Sequence, residues 1–139
     1  MKKLILLLAV MPLMASANLV KNPDVSQGTI GKTICVPGYT KTVRPAVVYT
    51  DGVKRKLLRA ANLPQSDASK YELDHVVPLT LGGHPRSLEN LKLQLWPEAK
   101  EKDKLEVRLN RLVCKKQISL IEAQNCIYND WKFCAKVHK

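Results

Sequence analysis

Acidic residues are scarce in this 139-residue sequence. Asp and Glu together number 12 against 23 Lys and Arg, and the formal net charge is +11 at pH 7. A positive charge of this size on a small chain favours polyanionic partners, such as nucleic acid, acidic glycans or an anionic membrane surface. A role in solubility explains the same charge, so charge alone does not establish a function.

The chain also lacks internal repeats, low-complexity tracts and C-x-x-C pairs. The absence of repeats excludes a solenoid, and the absence of closely paired cysteines argues against a structural zinc site. No recognition helix or zinc finger for reading bases is evident. Contacts with a nucleic-acid backbone would therefore bring affinity with little sequence preference.

Long apolar runs are confined to the N-terminus. Lys2 and Lys3 precede LILLLAVMPLM, a segment too short to span a bilayer comfortably, and Ala15-Ser16-Ala17 has the pattern of a cleavage site. We interpret residues 1–17 as a secretory signal peptide, with an uncleaved anchor helix as the alternative. Removing Lys2 and Lys3 leaves a charge of +9, because no acid precedes Asp24.

The remaining chain is long enough for one modest domain. A polar stretch at 18–34 is expected to form a flexible arm, and 35–139 the domain itself. Export predicts a periplasmic or extracellular protein. We also expect a monomer that has no membrane contact after signal cleavage.

Four cysteines fall in this exported part, and an even number outside the cytoplasm predicts disulfides. Three pairings are open to four cysteines. We favour Cys35–Cys114, which would tie the N-terminal arm to the body, and Cys126–Cys134, which would close a short loop after a helix.

Apolar periodicity predicts an α+β fold with a small two-stranded sheet. The segment Thr50–Pro64 has a helical apolar stripe, whereas Tyr71–Leu79 and Leu91–Leu95 have strand character. A helix is predicted from Trp96-Pro97 onward, and Ser119 with Glu122 has the spacing of a capping box at the start of the last helix.

The stretch ELDHVVPLTLGGHPRSLEN, from Glu72 to Asn90, carries residues suited to phosphodiester hydrolysis. Such a reaction needs a base that deprotonates water and a cation that takes up developing charge. His75 is the candidate base, while Asp74 and Asn90 offer hard oxygen ligands of the kind Mg²⁺, Mn²⁺ and Ca²⁺ prefer. Neighbours on a regular strand point to opposite faces, so Asp74 and His75 share a site only if the strand ends or bulges there.

The same stretch resembles the HNH endonucleases of the ββα-metal superfamily. In that family a D-H pair, an I/V-x-P, a Gly-Gly loop and an E/D-N-L mark the site. The likeness extends to CVPGYTKTVRP upstream and to LWPEAKEKDKLE, VC, AQ and DW downstream, as in exported bacterial HNH-type proteins. It covers about residues 33–131.

The resemblance implies a disulfide-stapled ββα-metal finger with a small antiparallel two-stranded sheet and flanking helices. It implies that His75 is the general base and that Asp74 and Asn90 hold one divalent metal ion, with Mg²⁺ favoured and Mn²⁺ or Ca²⁺ as alternatives. Many members have a His or Asn further along, where this chain has Ala99. Glu98 is the weak candidate for a third ligand, and Gln94 a weaker one.

Basic residues around the stretch are candidates for nucleic-acid binding, with an ordinary solvated surface as the alternative. The candidates are Arg44, Arg86, Lys92 and Lys102. Trp96 is expected to pack at the helix start rather than stack on a base.

These observations predict an exported, metal-dependent endonuclease that hydrolyses DNA, with RNA as an alternative substrate. A non-catalytic protein that binds nucleic acid or another polyanion on a decayed HNH fold is the second hypothesis. The third is an antibacterial toxin, which would be restrained by an immunity protein.

Overall fold

The computed structural model describes residues 20–139, so the predicted signal peptide and the first residues of the predicted arm lie outside the described part of the chain. The fold is α+β, with one two-stranded antiparallel sheet and two disulfides.

The sheet consists of β1 (Tyr71–His75) and β2 (Leu91–Leu95). The strands pair one to one, from Tyr71 opposite Leu95 to His75 opposite Leu91, without a bulge. β1 is shorter than predicted. The Val76 N–H still bonds to the main-chain oxygen of Asn90 in the register of the sheet, but the Val77 N–H bonds to the Asn90 side chain, which ends the ladder.

Two α-helices precede the strands along the chain and two follow them. The α-helices are α1 (Tyr39–Val43), α2 (Val47–Ala60), α3 (Trp96–Cys114) and α4 (Leu120–Val137). Short 3-10 turns lie at Ile30–Lys32, Gln65–Lys70, Leu79–Leu81 and Leu88–Asn90.

α2 begins earlier than its sequence pattern predicts. Thr50 does not cap the helix, because its hydroxyl donates to the Val47 carbonyl inside the first turn. α4 begins as predicted, and the capping box between Ser119 and Glu122 is formed in both directions.

The core is built where α3 and α4 pack together. Both helices contribute buried apolar residues, namely Leu105, Leu109, Val113, Leu120, Ala123 and Ile127. The segment before α1 also enters this core through Val20, Val25, Ile30 and Ile34.

The prediction of a flexible arm at 18–34 is therefore wrong for its described part. Val20 and Asn22 bond through their main chains to His84 and Gly82 at 2.7 and 2.8 Å, and the apolar side chains that follow are buried. The many polar residues of this segment led to the prediction, although the apolar residues between them are buried.

Both disulfides have the pairing predicted from the sequence, Cys35–Cys114 and Cys126–Cys134. The second pair is compatible with α4 only because the helix is kinked at Asp130, whose backbone is non-helical. Residues eight apart on a straight helix would be about 12 Å apart, whereas the two Cα atoms are 5.4 Å apart. Asp130 also accepts the Phe133 N–H and so caps the last turns.

Within residues 20–139, no helix has the length and apolar character needed to cross a bilayer.

Candidate functional site

Asp74 and His75 line one small cavity at the end of β1. The cavity has a volume of about 70 Å³ and its walls are mostly polar. Glu72, Leu73, Asp74 and His75 all contribute to it, although neighbours on a strand point to opposite faces. They share the cavity because it follows the edge of β1 that pairs with no second strand.

One nitrogen of the His75 ring is held by the loop after the Gly-Gly pair. Nε2 lies 3.0 Å from the Pro85 carbonyl oxygen. A carbonyl only accepts hydrogen bonds, so Nε2 carries the proton and Nδ1 is the basic atom of the neutral ring. Burial lowers the pKa of His75, with partial compensation from the Pro85 bond and from Asp74. The ring is therefore neutral, and able to accept a proton, at neutral pH.

Lys102, on α3, provides the buried cation of the site. Its Nζ donates to Asp74 Oδ2 at 2.9 Å, to the His75 carbonyl at 2.7 Å and to Glu106 Oε1 at 2.9 Å. Burial opposes its charge, but Glu106 and Asp74 more than compensate, and the pKa of Lys102 lies above its usual value. The lysine thus fixes both the Asp74 carboxylate and the end of β1.

The cavity concentrates carboxylates. Glu72, Asp103 and Glu106 line it together with Asp74. Burial is the main cause of a raised pKa in the first three, with repulsion from neighbouring acids adding to it, and it raises the pKa of Glu106 to about 7. Four acids against Lys102 and Arg44 leave an excess of negative charge when all are ionised.

Two polar atoms of the cavity-lining residues have unmet hydrogen-bonding capacity. Among the described residues, Glu72 Oε2 and Thr80 Oγ1 are buried without a hydrogen-bond partner. A carboxylate oxygen in this state is suited to a cation. The donor set at this cavity therefore fits a hard divalent ion such as Mg²⁺, which commonly binds one or two protein carboxylates and otherwise water and phosphate.

The prediction that Asn90 is a metal ligand is corrected by its contacts. Its side chain is fully buried. Oδ1 accepts the Val77 N–H at 2.8 Å, and Nδ2 donates to the carbonyls of Val77 and His84 at 2.9 and 3.0 Å. Asn90 ties the two ends of the Gly-Gly loop together and does not line the cavity.

Glu98 does not reach the cavity either, so its assignment as a weak metal ligand is also corrected. Its side chain is 44% exposed and bonds to Lys132 of α4 at 2.6 Å. Gln94 is buried on β2, opposite Glu72 in the register, and is likewise absent from the cavity walls.

The four predicted nucleic-acid-binding residues have different environments. Lys102 is 1% exposed and fully bonded, so it cannot contact a nucleic acid and that prediction is wrong. Arg86 is exposed and stacks over the Tyr49 ring at 4.3 Å. Lys92 is half-buried opposite Asp74, and burial lowers its pKa. Arg44 is exposed at the cavity mouth, and no ion pair involves it in the part of the chain described.

The acidic residues at the cavity other than Asp74 were not predicted. Their spacing could have indicated part of this cluster. Glu72 and Asp74 are two residues apart and so lie on the same face of the strand, and Lys102 precedes Glu106 by one helical turn. The sequence does not indicate that α3 lies against this end of β1.

Among residues 20–139, one group of three potential metal ligands has atoms within 4.8 Å of one another, namely Cys126, Cys134 and His138. The two sulfur atoms form a disulfide, so this group is not a thiolate site. The cavity carboxylates are spaced more widely, which fits an ion with few protein ligands.

Comparisons of the chain with family models, with curated proteins and with solved structures find no match.

Proposed function

We propose that this chain is a metal-dependent endonuclease that hydrolyses phosphodiester bonds in nucleic acid, with His75 as the general base. The observation that carries the proposal is the bond from His75 Nε2 to the Pro85 carbonyl, beside an acidic cavity. This bond holds the ring in place and leaves Nδ1 as the atom that takes a proton from water.

Each neighbouring residue has a separate role in the proposed reaction. Lys102 holds the Asp74 carboxylate and the His75 carbonyl, so it positions the base without touching substrate. Arg44, at the cavity mouth, would bind the phosphate through its guanidinium group. Asn90 and Gly83 keep the loop that carries Pro85 against the end of β1.

Glu72 and Asp74 are the residues that would hold a divalent ion, Mg²⁺ first and Mn²⁺ or Ca²⁺ as alternatives. Bound there, the ion would supply positive charge to the phosphate and to the leaving oxygen. The predicted signal peptide and the two disulfides support export, which we include in the proposal.

A plasmid-nicking assay on the oxidised protein tests the proposal. We expect nicking with Mg²⁺ or Mn²⁺, none with EDTA, and a loss of at least about a hundredfold in His75→Ala. His138→Ala is the matched control, because His138 is a partly buried histidine at the end of α4 that does not line the cavity. Full activity of His75→Ala would exclude the proposed base, and parallel assays on RNA would define the substrate.

A second candidate function is favoured by the ion pair between Lys102 and Asp74. A carboxylate already neutralised by an ammonium group is a poorer ligand for a metal ion, and the chain would then bind nucleic acid without cutting it. Retention of plasmid on the protein without nicking under either metal would favour this function.

A further inference from the structure

A second depression adjoins the acidic cavity and has different chemistry. It is a groove of about 260 Å³ between the start of α2, the edge of β1 and the start of α3. His75, Arg44, Glu72 and Leu73 line both depressions, so the two meet at the proposed base. The groove contains Trp96, which is 39% exposed and therefore keeps part of its ring open to a ligand.

We propose that this groove binds one unpaired nucleotide next to the phosphodiester at His75, with its base against Trp96, and that the substrate is single-stranded or locally unpaired nucleic acid. The inference rests on the proposed function and specifies its substrate.

The size of the groove favours a single nucleotide. Sites for drug-sized ligands have volumes from about 300 Å³ upward, so the groove of about 260 Å³ accepts a ligand of similar or smaller size. A double helix keeps its bases paired and stacked inside, so it would meet the groove with its backbone. An unpaired nucleotide can instead insert its base.

The apolar wall of the groove suits a base. Trp96 and Val47, which is 72% exposed, present apolar surface to solvent beside Leu73. Aromatic side chains bind single-stranded nucleic acid by stacking on successive bases, and such stacking tolerates any base. Bases in a duplex are stacked on each other and do not offer a face to Trp96.

The charges in the groove also favour one base over a run of phosphates. Arg44 and Lys54 contribute two positive charges, and Asp51 and Glu72 contribute two negative charges when ionised. A balanced groove does not attract several phosphates. A single phosphate would instead bind where the two depressions meet, beside Arg44 and His75.

Intrinsic fluorescence offers a direct test, because the chain has two tryptophans. Trp131→Phe leaves Trp96 as the reporter. In EDTA, to prevent cleavage, we expect saturable quenching by a single-stranded oligonucleotide and at least tenfold weaker quenching by its duplex. In wild type, Trp96→Ala should weaken single-strand binding roughly 5- to 150-fold, the range expected for one stacked base.

Two further variants separate stacking from damage to the fold. Trp96→Phe retains an aromatic face and should restore most of the single-strand affinity. Tyr128→Ala removes an aromatic residue that is 49% exposed on α4 and should not change it. Unchanged single-strand affinity in Trp96→Ala, or equal quenching by duplex and single strand, would overturn the inference.

Failure of the inference is distinguishable from failure of the proposed function. Metal-dependent nicking by a protein whose Trp96 is not quenched would overturn the nucleotide groove and leave the nuclease intact. Quenching without nicking under any metal would retain the groove and overturn the nuclease.

Discussion

At the scale of single residues, Lys102 has an environment unlike that of its neighbours on α3. Its ammonium group is 1% exposed and bonds to two carboxylates and a carbonyl, whereas Lys104 is 66% exposed and pairs with Glu101 at the surface. Removing one member of a buried charge cluster leaves the others without compensation. The two lysines therefore form a matched pair for mutation.

We expect Lys102→Met to lower the free energy of unfolding by about 3–5 kcal/mol, because Asp74 and Glu106 would remain buried without their counter-charge. Lys104→Met should change it by no more than about 0.5 kcal/mol, since its ion pair is exposed. Urea denaturation of both variants measures the difference. Equal stabilities would mean that the buried carboxylates are already neutral.

The two glycines Gly83 and Gly52 differ in the space around them. A Cβ at Gly83 would lie 1.7 Å from the Val77 carbonyl oxygen and 2.8 Å from Asn90 Nδ2, whereas nothing lies within 4 Å of one at Gly52. Backbone cannot move aside as a flexible side chain can. Gly83 is therefore required where the loop crosses the end of β1.

Gly83→Ala should destabilise the protein by about 3 kcal/mol or more, at the upper end of the cost of overpacking. Gly52→Ala should stabilise it by about 0.5–1 kcal/mol, because alanine favours the interior of α2. We therefore expect thermal or urea denaturation to show lower stability in Gly83→Ala and higher stability in Gly52→Ala. A stable Gly83→Ala protein would contradict the close approach of the loop to Val77.

Asn90 shows which part of the candidate site could not be assigned from the sequence. Asp74 and His75 are neighbours in the chain, so their proximity could be predicted without knowing the fold. The role of Asn90 depends on which backbone groups lie around it, and these belong to Val77 and His84. Glu106 reaches the cavity only because α3 packs beside β1, which periodicity does not indicate.

At the scale of elements, the two disulfides join segments very differently. Cys35–Cys114 connects the region before α1 to the end of α3 across 79 residues, whereas Cys126–Cys134 spans 8 residues within the kinked α4. A crosslink that closes a longer loop removes more entropy from the unfolded chain. The first disulfide should therefore contribute more to stability.

We expect the double variant Cys35→Ser, Cys114→Ser to lose about 4.5 kcal/mol of unfolding free energy, and Cys126→Ser, Cys134→Ser about 2.5 kcal/mol. Both would be measured by urea denaturation under non-reducing conditions. Keeping the other disulfide intact in each variant serves as the internal control. A larger loss from the short pair would show that the kink at Asp130 depends on its crosslink.

For the molecule as a whole, a net positive charge favours polyanions in general, whereas under the proposed function only a few cations would contact the phosphates of a strand. Arg44 lies at the mouth of both depressions, and Lys104 is exposed but neutralised by Glu101. Replacing either residue by a neutral one lowers the net charge by one. Comparing the two variants therefore distinguishes a local contact between Arg44 and a phosphate from attraction by the net charge of the protein.

The slope of log K against log salt measures such contacts, because each neutralised phosphate of a single strand contributes about −0.7 to it. For a single-stranded oligonucleotide in EDTA, we expect Arg44→Ala to reduce the magnitude of the slope by about 0.7, because one phosphate contact is lost. Lys104→Met should leave the slope unchanged although the net charge falls equally. Equal reductions in both variants would mean that binding follows the overall charge of the molecule and that no phosphate is held at the site where the acidic cavity and the groove meet.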